Sequence, residues 1–226
     1  MKLRVRFVVT AGPTREYLDP VRFLSNPSTG RMGFAIAAAA ARLGFDAALI
    51  AGPVELATPK GVRRIDVTSA RDMLAAALAE LDRARAGERV YFISSAAVAD
   101  WRPAERAAKK LKKSAMAGVL RLRRNPDILK TLKAKRRGSM GDIRLVGFAA
   151  ETGDPVVEAR RKCRAKGLDF IVANDVTAPG CGFGTRTNRV TVIAADGSTE
   201  EWPLSSKSAV GSRIVRLCLR SVKEEK

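Results

Sequence analysis

Five short, largely apolar runs, at 5–9, 47–53, 89–94, 144–150 and 169–174, recur along the chain with helix-period stretches between them. Runs of that length and character read as strands buried on both faces, the situation inside a parallel sheet covered by helices. Another short strand is expected at 62–67. A helix should follow, capped by Thr68 or Ser69, with Asp72 in its first turn and an end near Arg85. Leu74, Leu78 and Leu81 give it one apolar stripe for the core. The alternation predicts α/β architecture: a doubly wound, mostly parallel, Rossmann-like sheet, with residues 1–226 as a single domain.

Two additions interrupt that rhythm. Residues 183–204 alternate about Asp196-Gly197, which predicts a β-hairpin, and an amphipathic helix over 207–222 then turns Ile214, Val215, Leu217 and Cys218 inward. Residues 104–124 combine a lysine cluster, a glycine, and arginines among Val119, Leu120 and Leu122. They predict a lysine-bearing flap outside the sheet, although a lysine run by itself is ordinarily a solvated face.

The connection from the first strand to the first helix is the most informative loop. A dinucleotide fingerprint places three glycines within about six residues. Here Gly12 stands far upstream of Gly30 and Gly33, and Thr14, Arg15, Glu16, Asp19, Arg22, Ser25, Asn26, Ser28 and Thr29 fill the gap. Long loops in compact domains are usually functional. This one offers cations, amides and hydroxyls just before a helix N-terminus, which favours anions. It reads as a substrate loop, with Arg22, Asn26, Ser28, Thr29 and Gly30 as substrate-binding candidates and Gly12 assigned to the nucleotide side.

Composition narrows the chemistry. There is no histidine, which removes Ser-His-Asp and Cys-His catalysis and histidine-ligated metals. Lysine, arginine, carboxylates, amides and backbone remain, an inventory suited to phosphates and carboxylates. Three cysteines show no metal or disulfide spacing. No window approaches a transmembrane span and the start is too short an apolar run for a signal peptide, so no membrane partner is expected and the default compartment is cytoplasmic. Glutamine is missing and asparagine scarce, a hint of adaptation to heat.

The net charge is +19, and residues 102–137 hold fourteen Lys or Arg against Glu105 and Asp127. Nucleic acid is one reading of that charge. The segment from 103 to 137 has no aromatic residue to stack a base, so a polyanionic small substrate is preferred and no nucleic acid is expected. Downstream, 125–132 predicts a short helix with Asn125 as cap and Pro126 in the first turn. Residues 154–166 predict a basic helix with Lys162 and Lys166 on one face.

Taken in order, TAGPTREYLDPVRFLSNPSTGRMG, AAVADWRP, KLKK, NPDIL, VGFAAET and IVANDV resemble phosphopantothenate–cysteine ligase of coenzyme A biosynthesis, from about residue 5 to residue 214. That ligase is usually the C-terminal half of a bifunctional flavoprotein. The flavin-binding decarboxylase half, with its catalytic histidine, has no counterpart here, so no flavin is expected. The resemblance implies three substrates: CTP, 4′-phosphopantothenate and L-cysteine. The carboxylate attacks the α-phosphate of CTP, giving an acyl-cytidylate and pyrophosphate, and the amine of cysteine then displaces CMP. The KLKK, AAVAD and NPDI stretches look like the CTP-using type rather than the ATP-using one.

Residue by residue, the resemblance implies catalytic roles for Asn26, which holds the reacting carboxyl, and Lys110, which opens KLKK and contacts the triphosphate from a closing flap. Lys109 directly precedes it. It implies nucleotide binding by Ser94, Ser95, Ala96 and Asp100, by Lys110, by Pro126, Asp127, Ile128 and Leu129 at the cytosine edge, by Phe148 beside the base, and by Lys162 and Lys166. No carboxylate cluster suggests a protein-built metal site, so Mg2+ is expected to arrive on CTP. A homodimer is implied by the family. The competing readings are a nicotinamide-dependent reductase, disfavoured by the split glycines, and a basic nucleic-acid-binding module.

Overall fold

A computed structural model describes residues 3–112 and 118–224. Lys113, the last lysine of KLKK, lies outside the described residues. The strands are β1 (Arg4–Ala11), β2 (Arg15–Tyr17), β3 (Phe23–Ser25), β4 (Asp46–Ala51), β5 (Val62–Asp66), β6 (Glu88–Ser94), β7 (Trp101–Pro103), β8 (Leu122–Arg124), β9 (Asp142–Glu151), β10 (Phe170–Asp175), β11 (Thr187–Ala194) and β12 (Thr199–Ser206). The helices are α1 (Arg31–Arg42), α2 (Ala70–Asp82), α3 (Ile128–Arg136), α4 (Val156–Lys166) and α5 (Lys207–Glu224).

Eight strands form one sheet in the order β12-β11-β10-β9-β6-β1-β4-β5. The run from β10 to β5 is parallel, and β11 and β12 close one edge antiparallel. Alternate side chains of β1 separate the interior into two layers: Phe7 and Val9 pack with α1 and α5, and Val8 packs with α2, α3 and α4. Burial on both faces explains why the parallel strands read as apolar runs rather than alternating ones. From β1 the chain moves outward to β4 and β5, then returns to place β6 on the other side of β1. That reversal leaves a crevice beyond the carboxyl ends of β1 and β6, where open α/β sheets hold ligands.

Helix α1 comes unusually close to the crevice. A Cβ on Gly33 would stand 2.5 Å from the Ala11 Cβ and 2.7 Å from the Ser95 Oγ. On its far side α1 meets α5, where a Cβ on Gly211 would stand 2.9 Å from the Ala35 carbonyl carbon. The alanine-rich sequence of α1 therefore serves proximity, placing two helix N-termini beside the sheet edge.

Several local expectations hold and others shift. Ser69 caps α2 in a reciprocal box with Asp72, its Oγ accepting from the Asp72 N–H at 3.2 Å. Gly197 turns the β11–β12 hairpin at φ 90°. The loop over 12–30 contains the small β2–β3 hairpin, and β7 pairs with β8 as the stem of the 104–124 excursion. The cap of α3 is Asp127 rather than Asn125, its carboxylate accepting from the Lys130 N–H at 3.1 Å. Asn125 is drawn into tertiary contacts instead, donating from Nδ2 to the Ala99 carbonyl at 2.8 Å and accepting from Arg102 at 3.1 Å. Helix α4 starts at Val156, two residues after the expected Asp154, whose side chain accepts the Val156 N–H at 2.9 Å.

Candidate active site

A cavity of about 490 Å³ occupies the crevice. Its floor is the segment 94–100 after β6, which neighbouring groups hold along its length. The Ser95 hydroxyl donates to the Thr10 carbonyl at 2.7 Å, and the Ala96 N–H reaches the Thr10 hydroxyl at 3.2 Å. The Ala97 N–H bonds the Gly12 carbonyl at 2.9 Å, and the Ala99 N–H reaches the Thr14 hydroxyl at 3.0 Å. Small side chains at Ser94, Ser95, Ala96 and Ala97 keep backbone groups of the floor approachable.

Most candidate residues gather around this floor. Asn26, Ser28, Thr29, Gly30, Ser94, Ser95, Ala96, Asp100, Pro126, Asp127, Ile128, Leu129, Phe148 and Lys166 all line the cavity. Gly30 supplies a left-handed residue, φ 76°, as the cap of α1, which has no side-chain cap of its own. Gly12 lies beneath the lining: a Cβ on Gly30 would stand 3.3 Å from the Gly12 nitrogen. Asn26 donates from Nδ2 to the Ala97 and Val98 carbonyls, at 3.1 and 3.3 Å. With its N–H pair engaged by backbone, the carboxamide oxygen is the group left for a ligand.

The cavity has two ends. One, formed by the start of α3, Asp100 and Lys166, sits toward the α3–α4 face of the sheet, while Phe148 lines the cavity from the opposite layer, packed against the α1–α5 side. Lys166 pairs with Asp127 at 2.9 Å there. The first N–H groups of a helix have no partner within it, so the turn at Ile128 and Leu129 presents donors at this end. The other end, toward the α1–α5 face, is formed by residues 28–33 with Asn174, Cys181, Phe183, Asn188 and Lys207. Asn174 is buried and donates to the Cys181 carbonyl at 3.1 Å.

Three candidate cations stand apart. Lys162 lies outside the lining and pairs with Glu151 at 2.6 Å. Arg22 also lies outside it, bound to Asp19 at 2.6 Å and to the Leu111 carbonyl at 3.1 Å. Asp19, fully buried, accepts the Leu111 N–H at 3.2 Å, and the Arg22 guanidinium holds its carboxyl well below the ordinary range. With the Ala107 N–H on the Leu18 carbonyl at 2.8 Å, these contacts dock the 104–124 excursion onto the loop over 12–30. Lys110 is exposed between those two anchors and does not line the cavity.

The sequence reading passed over Arg31, Asn125, Asn174, Asn188 and Lys207. A signal for three of them was available. The chain has four asparagines and no glutamine, and Asn26, Asn125, Asn174 and Asn188 all line this one cavity.

The family described as DNA/pantothenate metabolism flavoprotein C-terminal domain matches residues 3–221. The chain belongs to this family. It is 49% identical over 210 residues to the coenzyme A biosynthesis bifunctional protein CoaBC of Bacillus subtilis (strain 168), covering 92% of this chain and 50% of that protein. It is 45% identical over 214 residues to the CoaBC of Vibrio cholerae serotype O1, covering 94% and 51%. The crystal structure of the C-terminal domain of a CoaBC superposes with a TM-score of 0.80 at 37% identity, covering 98% of both chains. The chain thus spans about half the length of the curated relatives it matches. The fold is that of the family's C-terminal domain, and none of the described helices is long and apolar enough to cross a membrane.

Proposed function

We propose that this domain is a phosphopantothenate–cysteine ligase of coenzyme A biosynthesis that uses CTP and proceeds through an acyl-cytidylate. The observation that carries the reading is the two-ended cavity over one floor, with a donor-rich helix start at one end and α1 at the other. A nucleotide at the first end and an acyl substrate at the second would meet above residues 95–98, beside Asn26.

On this reading the N–H groups at Ile128 and Leu129 meet the acceptor edge of cytosine, Phe148 flanks the base, and Asp100, Lys166 and the 94–96 backbone hold the nucleotide. Lys110 reaches the triphosphate when the docked flap closes, and Lys162 joins only by leaving Glu151. Ser28, Thr29, Gly30 and the start of α1 face the acyl substrate. A carboxylate oxygen of 4′-phosphopantothenate attacks the α-phosphorus and pyrophosphate leaves. The amine of cysteine then attacks the acyl carbon, CMP leaves with the bonding pair, and a proton passes to solvent. Asn26, fixed by Ala97 and Val98, offers its oxygen to that amine and aims it.

Mg2+ belongs to this reading as a companion of the triphosphate. The described residues hold no group of three or more His, Cys, Asp or Glu, so the donor set suits a cation ligated mainly by phosphate and water. Bound there, the ion would neutralise triphosphate charge, and Asp100, a carboxylate of the cavity wall, would meet it through water. The reading includes a homodimer, supported by exposed Val21, Phe23, Trp101 and Leu122 on or beside the two short hairpins.

Thermal melting tests the nucleotide assignment. A ligand that binds only the native state raises the midpoint by mass action. CTP with Mg2+ is expected to raise it by several degrees at a hundredfold excess over Kd, ATP much less, and NADH not at all. Stabilisation by NADH alone would restore the reductase reading.

A further inference from the structure

We propose that Thr14 is a positioning residue: its hydroxyl and its carbonyl together set where the Asn26 carboxamide stands over the cavity floor. The inference rests on the ligase reading in one respect, that Asn26 aims the attacking amine, and it adds what aims Asn26.

Thr14 closes a ring of hydrogen bonds around that side chain. Asn26 donates from Nδ2 to the Ala97 and Val98 carbonyls at 3.1 and 3.3 Å. The next residue of the floor, Ala99, donates its N–H to the Thr14 hydroxyl at 3.0 Å. The Thr14 carbonyl accepts from the Ser25 hydroxyl at 2.8 Å, and Ser25 directly precedes Asn26 in the chain. One residue therefore holds both halves of the contact, the carbonyls that Asn26 grips and the backbone from which its side chain extends. Thr14 is fully buried and does not line the cavity, so it acts only through these neighbours.

The backbone on either side of Thr14 is anchored. Before it, the Gly12 carbonyl accepts the Ala97 N–H at 2.9 Å, and Pro13 forms a parallel bridge with Ala97. After it, the Arg15 N–H reaches the Thr68 carbonyl at 2.8 Å, and the Glu16 carboxylate accepts the Ala70 N–H at 2.8 Å at the start of α2. A β-branched side chain has a restricted χ1, so the hydroxyl points one way from a fixed base. Valine would fill the same space but leave the Ala99 N–H buried without its acceptor.

Thr10 makes a parallel pair of bonds elsewhere on the floor. Its hydroxyl accepts from the Ala96 N–H at 3.2 Å and its carbonyl from the Ser95 hydroxyl at 2.7 Å. It braces the floor without joining the ring through Ser25, which makes it the control.

Side-chain amide exchange tests the assignment without requiring turnover. The chain has four asparagines and no glutamine, so its carboxamides give only four pairs of NMR signals. Thr14→Val is expected to speed solvent exchange of the Asn26 Nδ2 protons at least about tenfold and to leave those of Asn174 near wild type. It should lower kcat about tenfold to a hundredfold, the scale of a misplacement of about 1 Å near a reacting centre, with little change in KM for CTP. Thr14→Ser, which restores the hydroxyl, should recover most of both. Ser25 is exposed, so Ser25→Ala keeps the fold and reads the ring from its other side; it should speed the same exchange severalfold. Thr10→Val should leave Asn26 exchange near wild type. Added to Asn26→Ala, Thr14→Val should cost little further turnover, because both act at one group. Unchanged Asn26 exchange in Thr14→Val or Ser25→Ala, equal loosening by Thr10→Val, or losses that multiply in the double variant overturn the inference. If exchange follows the pattern but wild type forms no product, the ligase reading fails and the ring stands. If wild type forms product while Asn26 exchange ignores Thr14→Val, the ligase reading stands and this inference fails.

Discussion

Asn26→Ala is expected to lower kcat about a hundredfold while CTP still raises the melting midpoint. The carboxamide is fixed by the Ala97 and Val98 carbonyls, so its oxygen occupies one place at the junction of the two cavity ends. Loss of one positioned group at a reacting centre costs on the order of 10²-fold. The substitution also removes two part-buried hydrogen bonds, at about 1 kcal/mol each, so a modest fall in stability should accompany it. The two effects separate cleanly. If Asn26 only braces the floor, the melting point falls while saturated turnover remains near wild type. Loss of turnover with the CTP shift intact is the outcome required of a residue at the chemistry.

Lys110→Ala should cut kcat/KM for CTP at least tenfold, about 1.4 kcal/mol of transition-state stabilisation. Lys109→Ala and Lys112→Ala should change it by less than twofold. Lys110 stands between Ala107, bonded to Leu18, and Leu111, bonded to Asp19. It is therefore carried by backbone already docked on the loop over 12–30, while its side chain is exposed and free to move on closure. Lys110→Arg should recover only part of the loss, because a planar fork does not replace a compact ammonium. Proteolysis within 107–124 should slow when CTP is present. Equal small effects at all three lysines, with no change in proteolysis, would leave these residues as a solvated face.

Much of this was legible in the sequence because it depends on local pattern. Apolar runs marked the parallel strands, Ser69 and Asp72 marked a helix start, and Asp196-Gly197 marked a hairpin. The loop over 12–30 stood out by length and content, and Asn26, Ser28, Thr29 and Gly30 from it line the cavity. What escaped depends on contacts between distant segments. Asn125 has the composition of a cap, yet Ala99 and Arg102 claim its side chain and Asp127 caps α3 instead. Arg22 looked free for substrate, but Asp19, three residues away, engages it, and the partner was visible in the sequence. Lys162, on α4, faces Glu151 at the end of β9. Asn188 and Lys207 sit in the hairpin and at the helix start that the pattern assigned to architecture alone. The scarcity of carboxamides, read first as a trace of heat adaptation, was also a pointer to the cavity.

The central claim is tested most directly by analysing the coproducts when the pure domain is supplied with CTP, Mg2+, 4′-phosphopantothenate and L-cysteine. The account requires 4′-phosphopantothenoylcysteine together with equimolar CMP and pyrophosphate, and far less product when ATP replaces CTP. Omission of cysteine should leave an acyl-cytidylate, detectable by mass. CDP and orthophosphate in place of CMP and pyrophosphate would contradict attack at the α-phosphorus, and product formed equally well with ATP would contradict the cytosine-reading role given to the start of α3.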